Sequence, residues 1–292
     1  MLSGVVPVLA TPFAARGGVD SLALGRLGEF VMRRGATAVA TLGLASEAFA
    51  LTAQERRKVV ATVRKAVGAG VDIVVGVDAT SLVGAREQAS RAVESGATAL
   101  MVLPPYLVRT SPAGLLDYFG RLGAEFGAVV VQDAPAATGV EMSVELLLDL
   151  AALPGVVALK IESPDAVAKL EQVRAASGGA TLFGGRNAVQ LHDELLVGAN
   201  GTMPACEFTG ELSRLVGEHE VGQFNEARWQ ALLPLLVFGT RPRKGWAVHK
   251  FVLHRLELVP SVGVRFPAEK LTSAEVAELE AALTAWESAD DV

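Results

Sequence analysis

One lysine stands apart from the others by its setting. Lys160 lies within Val156-Val157-Ala158-Leu159-Lys160-Ile161, a run that is otherwise apolar. Lysine is seldom fully buried unless it is paired or functional. At a strand end it can reach back to solvent or pair with a neighbour, here Glu162. Enclosed by apolar groups it has another use: loss of solvation disfavours the ammonium form, and a free amine can attack a carbonyl carbon. The residue alone leaves both readings open. Lys58, Lys65 and Lys169 fall on helical patterns and call for no such chemistry.

Few other chemistry-bearing side chains sit near the ends of apolar runs. They are Glu47 in Gly43-Leu44-Ala45-Ser46-Glu47, Asp78, Tyr106, Gln132 with Asp133, Glu162, and Arg186 with Asn187. Glutamine has no pKa in a useful range, so Gln132 can orient a water or hold an oxygen but is no general base. The Ser46 hydroxyl can hold a carboxylate or shape the turn into the next helix. Glu47 reads as a brace for its loop, and Tyr106 as support or packing near a subunit interface. Arg186 follows Gly184-Gly185 and is placed to face a substrate, whereas Asn187 reads as a helix cap. Asp78 and Asp133 put negative charge at two strand ends. Facing a partly desolvated pocket, they would favour a substrate whose far end is cationic or polyhydroxylated; capping is their plainer role. His192 falls on a helical pattern, and His219, His249 and His254 lie away from the strand ends. All four read as surface or packing residues, without metal-ligand spacing. Cys206 is the single cysteine. It excludes a disulfide within the chain and reads as a small core residue on the eighth strand.

These positions take their meaning from the elements between them. Eight apolar runs recur: Val5–Phe13, Ala36–Gly43, Asp72–Asp78, Ala97–Pro105, Ala128–Pro135, Val156–Ser163, Thr181–Arg186 and Ala199–Phe208. They alternate little between apolar and polar residues, which suits parallel strands covered on both faces. Amphipathic helices fit between them at Thr52–Gly70, Ser81–Gly96, Ser111–Gly127, Ser143–Gly155 and Pro164–Gly178. Thr52 with Glu55 makes a capping-box pattern, and glycines close the helices. Eight such units predict a (β/α)8 barrel over residues 1–222, whose functional groups gather at the C-terminal strand ends. Beyond it, Phe224–Phe238, Gly245–Leu258 and Ser273–Ser288 read as helices without strands, a small helical C-terminal domain over residues 223–292. No Gly-x-Gly-x-x-Gly follows the first run, which argues against dinucleotide binding.

Composition narrows the class. With 51% hydrophobic residues in 292, the chain can build a large core. A net charge of −6 without a basic cluster argues against nucleic acid and against a membrane surface as partners. No apolar stretch reaches the roughly 18 residues of a membrane span, and Met1–Ala10 lacks the features of a signal peptide. A soluble cytoplasmic protein is the expected setting.

Taken in order, Thr11-Pro12-Phe13, Gly43 to Glu47 followed by Leu51-Thr52 and Glu55-Arg56, Pro104-Pro105-Tyr106, Pro135 with Thr138-Gly139, Lys160, and Gly198-Ala199 with Gly201 form a series. It resembles the dihydrodipicolinate synthase/N-acetylneuraminate lyase superfamily over nearly the whole chain. The resemblance implies a barrel with a C-terminal helical domain, a homo-oligomer (tetramer or dimer), no cofactor, no metal and a small 2-oxo acid substrate. By the same resemblance Lys160 is the Schiff-base lysine, and the loop holding Ala45 and Ser46 receives the substrate carboxylate. The departures matter as much. Where family members have Gly-Thr-Thr-Gly-Glu, this chain has Leu44, Ala45 and Ser46. Gln132 replaces the proton-shuttling tyrosine, Leu107 replaces a second tyrosine, and Ala137 replaces the arginine of the synthase proper. The expected reaction is retro-aldol cleavage of a 4-hydroxy-2-oxo acid to pyruvate and an aldehyde, or its reverse. Dehydration of a hydroxylated 2-oxo acid, 4-hydroxy-tetrahydrodipicolinate synthesis and non-catalytic binding of a 2-oxo acid are the alternatives.

Overall fold

The apolar runs become short parallel strands whose side chains are covered on both faces. The computed structural model describes residues 2–177 and 179–290. The helix end expected at Gly178 lies outside the described residues, as do Met1 and positions 291–292 at the outer limits of the two expected domains. The strands are β1 (Gly4–Val5), β2 (Val39–Thr41), β3 (Ile73–Val77), β4 (Ala99–Val102), β5 (Val129–Asp133), β6 (Val156–Ile161), β7 (Leu182–Gly184) and β8 (Gly201–Thr202). They pair in the order β1-β8-β7-β6-β5-β4-β3-β2. Val8 bridges both Ala40 and Ala205, which closes the (β/α)8 barrel. The first strand is much shorter than its apolar run. Pro7 and Pro12 have no N–H to donate, so regular pairing there gives way to isolated bridges.

Successive strand residues face opposite sides. Val8, Ala40, Met101, Val130, Ala158 and Phe183 fill the barrel interior. The alternate positions, such as Val75, Leu100, Val129, Val131 and Leu159, pack against the helices. These are α1 (Ser21–Arg33), α2 (Ala53–Val67), α3 (Leu82–Glu94), α4 (Pro112–Phe126), the single turn α5 (Pro135–Thr138), α6 (Val144–Ala151), α7 (Ala166–Ser177), α8 (Leu191–Leu196) and α9 (Thr209–Glu220). The sequence pattern did not place α1 and α9, and it placed α8 only as the helical pattern around His192. The first of these has a clear start signal, since the Asp20 carboxylate accepts from the N–H groups of Leu22 and Ala23. The Thr52–Glu55 capping box at α2 is formed in full. Gly127 ends α4 with a left-handed φ of 76° that a side chain would strain.

Helices α10 (Glu226–Gly239), α11 (Gly245–Arg255) and α12 (Ser273–Asp290) follow without intervening strands. Trp229, Leu232, Val252 and Leu279 share one apolar cluster with Leu191 of α8 and Leu212 of α9. Two polar joints pin this segment to the mouth of the barrel. The Trp246 indole donates to Leu44 O at 2.6 Å. The Lys250 ammonium pairs with Glu47, both fully buried, and lies over the Phe13 ring at 3.9 Å. Burial pushes the Lys250 ammonium down to about 8 against the pull of Glu47. Glu47 also accepts from Arg265 N at 2.9 Å. Among the described residues no helix is long and apolar enough to cross a membrane.

A buried ion pair punishes loss of one partner more than it rewards presence of both. Lys250→Ala leaves the buried Glu47 carboxylate without its ammonium partner, and is expected to cost about 3–5 kcal/mol. Urea unfolding curves measure this; a midpoint within experimental error of the parent would show that the joint is dispensable.

Candidate active site

The barrel register decides which side chains meet. Gln132 and Lys160 are partners across the β5–β6 ladder, and Val130 and Ala158 are partners two positions earlier. Because Val130 and Ala158 face the interior, Gln132 and Lys160 do too. Glu162 follows in the same phase just past β6. Lys160 is 3% exposed. Its Nζ lies 3.2 Å from Glu162 Oε2. The Gln132 amide donates to that same oxygen at 2.5 Å, and the Arg186 backbone N–H donates to Glu162 Oε1 at 2.9 Å. Burial works to raise the Glu162 carboxyl. The charge of Lys160 and the donors Gln132 and Arg186 outweigh it and hold the group below the ordinary carboxylate value. The result is an amine beside an ionised carboxylate inside an apolar barrel.

Space for a substrate opens directly above. A cavity of about 360 Å³ is walled by Lys160, Glu162, Ala45, Arg186, Trp246 and His249. A neighbouring one of about 290 Å³ is walled by Gln132, Tyr106, Thr138 and Asp78 and shares Leu44, Ala137 and Trp246 with the first. A larger groove of about 840 Å³ lies at the opposite end of β6 and β7, between Val157, Ala176 and Thr181. It is lined by no titratable side chain, so the smaller cavities are the chemical ones.

A model of the Dihydrodipicolinate synthetase family matches residues 1–286. The chain belongs to that family. It is 29% identical to the L-2-keto-3-deoxyarabonate dehydratase of Azospirillum brasilense, over 94% of this chain and 92% of that one. It is 26% identical to the 4-hydroxy-tetrahydrodipicolinate synthase of Laribacter hongkongensis, over 98% of this chain and 99% of that one. The crystal structure of dihydrodipicolinate synthase from Rhodopseudomonas palustris superposes with a TM-score of 0.91 at 26% identity, covering 97% of each chain. The chain is therefore an enzyme of the Schiff-base-forming lyase and aldolase class. Within the family fold, Ala137 does line the cavities where the synthase carries arginine. The Arg109 guanidinium lies instead across the Thr138–Gly139 turn, 2.6 Å from where a Gly139 Cβ would stand.

Several candidates from the sequence are placed differently from expectation. Asp133 shares the phase of Val129 and Val131, so it points out of the barrel; it is fully buried and accepts from Lys169 of α7 at 3.1 Å. Asp78 borders the second cavity, but Arg56 holds its carboxylate at 2.7 Å. Both charges are matched, and the expectation of a cationic substrate tail loses its basis. Ser46 is fully buried and its hydroxyl donates to Leu9 O at 2.6 Å, which leaves it nothing for a substrate carboxylate. Ala45 and Arg186 do line the first cavity, and Tyr106 the second. Asn187 caps no helix; its amide donates to Leu236 O and its oxygen accepts from Ala205 N. His249, read as a packing residue, stands in the cavity wall with Glu207 behind it at 2.6 Å. Glu207 lies within the eighth apolar run, so the strand-end rule could have found it.

Glycines 184 and 185 explain how two glutamates crowd one strand end. A Cβ on Gly185 would stand 2.3 Å from Glu162, and one on Gly184 would stand 1.7 Å from Glu194. Glu194, from α8, is 1% exposed. Burial, with the charge of Glu162 adding to it, pushes its carboxyl up to about 8. The folded protein therefore binds a proton here that the unfolded chain releases near pH 4.5. The stability from this group is complete below the unfolded value and is lost as pH rises through the folded one. Glu194→Gln should flatten that decline, raising the melting temperature at about pH 9 and changing it little at about pH 4.5. Equal shifts at both pH values would show that Glu194 is ionised throughout.

Proposed function

We propose that this protein eliminates water from a 3-deoxy-4-hydroxy-2-oxo acid through an imine on Lys160, with Glu162 as the base at C3. The observation that carries the reading is the buried Lys160–Glu162 pair at 3.2 Å. Once the amine has condensed with the 2-oxo group, C3 is one bond from the former carbonyl carbon. The imine nitrogen is the electron sink for a proton lost from C3, and Glu162 is the ionised group within reach. Gln132 cannot titrate, but it keeps one Glu162 oxygen oriented and can release it as the carboxylate gains a proton. Loss of the C4 hydroxyl then gives a conjugated imine, and hydrolysis returns Lys160. Likeness over nearly the full length to a dehydratase of a keto-deoxy sugar acid supports the elimination.

Retro-aldol cleavage starts from the same imine and is the second reading. Glu162 would then take the proton of the C4 hydroxyl, and the C3–C4 bond would break to give pyruvate and an aldehyde. The two differ in product: elimination keeps the carbon skeleton whole. Exposed Tyr106, Leu107 and Val108 beside the second cavity support a homo-oligomer, and a cytoplasmic setting fits the proposed small-molecule substrate.

Borohydride with pyruvate is expected to fix mass on Lys160 alone, and Lys160→Ala should abolish both labelling and turnover. Glu162→Gln should still label while turnover of a 4-hydroxy-2-oxo acid falls about 10²–10⁴-fold, with a fall of about 10²-fold for Gln132→Ala. Labelling that survives in Lys160→Ala overturns the reading. Release of pyruvate in step with substrate loss turns it from elimination to cleavage.

A further inference from the structure

The elimination needs a second proton transfer that Glu162 is badly placed to supply. While Glu162 takes a proton from C3, the hydroxyl at C4 must gain one to leave as water. The cavity lined by Lys160 and Glu162 is also lined by His249, one member of a buried pair that fits this need. Glu207 and His249 are both buried, each 4% exposed. Glu207 Oε1 lies 2.6 Å from His249 Nδ1, which fixes the ring and assigns Nδ1 as the donor to the carboxylate. Among the described residues no group bonds the other ring nitrogen. The ring lines the same cavity as Lys160 and Glu162. Glycine at 239 makes the space for it, since a Cβ there would stand 2.6 Å from the ring's Cε1. The remaining cations of this wall are Arg186, Arg241 and Arg243. Arg241 is paired with Glu278 at 3.1 Å and Arg243 with Glu269 at 2.6 Å.

We infer that His249, held by Glu207, is the general acid that protonates the departing C4 hydroxyl, so that the two proton transfers are divided between two residues lining one cavity. The inference rests on the imine reading of Lys160. Glu162 takes the C3 proton, and the C–H electron pair forms the enamine with the imine nitrogen as sink. The enamine then re-forms C=N, C3=C4 forms, and the C4–O bond breaks with its electron pair on oxygen. The Nε2 proton of the His249 imidazolium completes the water. Glu207 balances the ring's charge before the transfer. Solvent returns a proton from Glu162 to His249, so one water leaves and the protein ends unchanged.

The test uses the full-length protein and three measurements: borohydride labelling with pyruvate, exchange of the pyruvate methyl protons in D₂O, and turnover of two substrates. One substrate carries a hydroxyl at C4, the other an acetate ester there, which leaves without a proton. His249→Gln, whose amide can still bond Glu207, should label and exchange at the parent rates. It should lose about 10²–10⁴-fold in turnover of the hydroxyl substrate yet stay within about threefold on the ester. Glu207→Gln should show the same selective loss, to a smaller degree. Unchanged turnover of the hydroxyl substrate by His249→Gln overturns the proposal, and so does an equal loss on both substrates. If neither variant labels, the pair serves the fold and the proposal is likewise overturned. Failure of the unmodified protein to label would instead bring down the Lys160 reading, and this one with it.

Discussion

The site hangs on one carboxylate kept ionised where little water reaches it. Glu162 is surrounded by what an isolated buried charge lacks: an ammonium at 3.2 Å and amide donors at both oxygens. Bare burial of such a charge is costly enough that the group would protonate instead. Here each compensating group comes from a different strand end: Gln132 from β5, Lys160 from β6 and Arg186 from the turn after β7. The closed parallel barrel is what brings these three ends to one point.

The proposed reading gives the family fold a route that needs no tyrosine. A phenol on β5 would relay protons through its own hydroxyl. With glutamine there, the proposed reading leaves β5 with orientation only and places the titrating group just past β6, at Glu162. The second titratable pair, Glu207 with His249, comes from the end of β8 and from α11. The helical segment is therefore part of the site's wall as well as a cover for the barrel.

What could be read in the sequence was mostly local. The Thr52–Glu55 box, the glycine at 127 and the apolar runs act within a few residues, and all of them formed. Lys160 could be singled out because a charge inside an apolar run is unusual whatever the fold. Asp133 misled for a physical reason. A strand covered on both faces shows no alternation, so Asp133 and Gln132 look alike in sequence although they point to opposite sides. Only the register with Lys160 separates them. His249 could not be placed because its partner is 42 residues away and its helix carries no strand-end mark. Ser46 looked available because its bond to Leu9 O spans 37 residues.

Gly184 and Gly185 couple the placement of two glutamates to the shape of one turn. Each glycine is empty because a glutamate occupies the room a methyl group would need. A side chain at either glycine would push its glutamate out of the conformation it holds here. Seating such a carboxylate in a tyrosine-bearing relative thus means transplanting the turn after β7 together with the acid. A library that introduces the acid alone, without the glycine beside it, would set the carboxylate elsewhere.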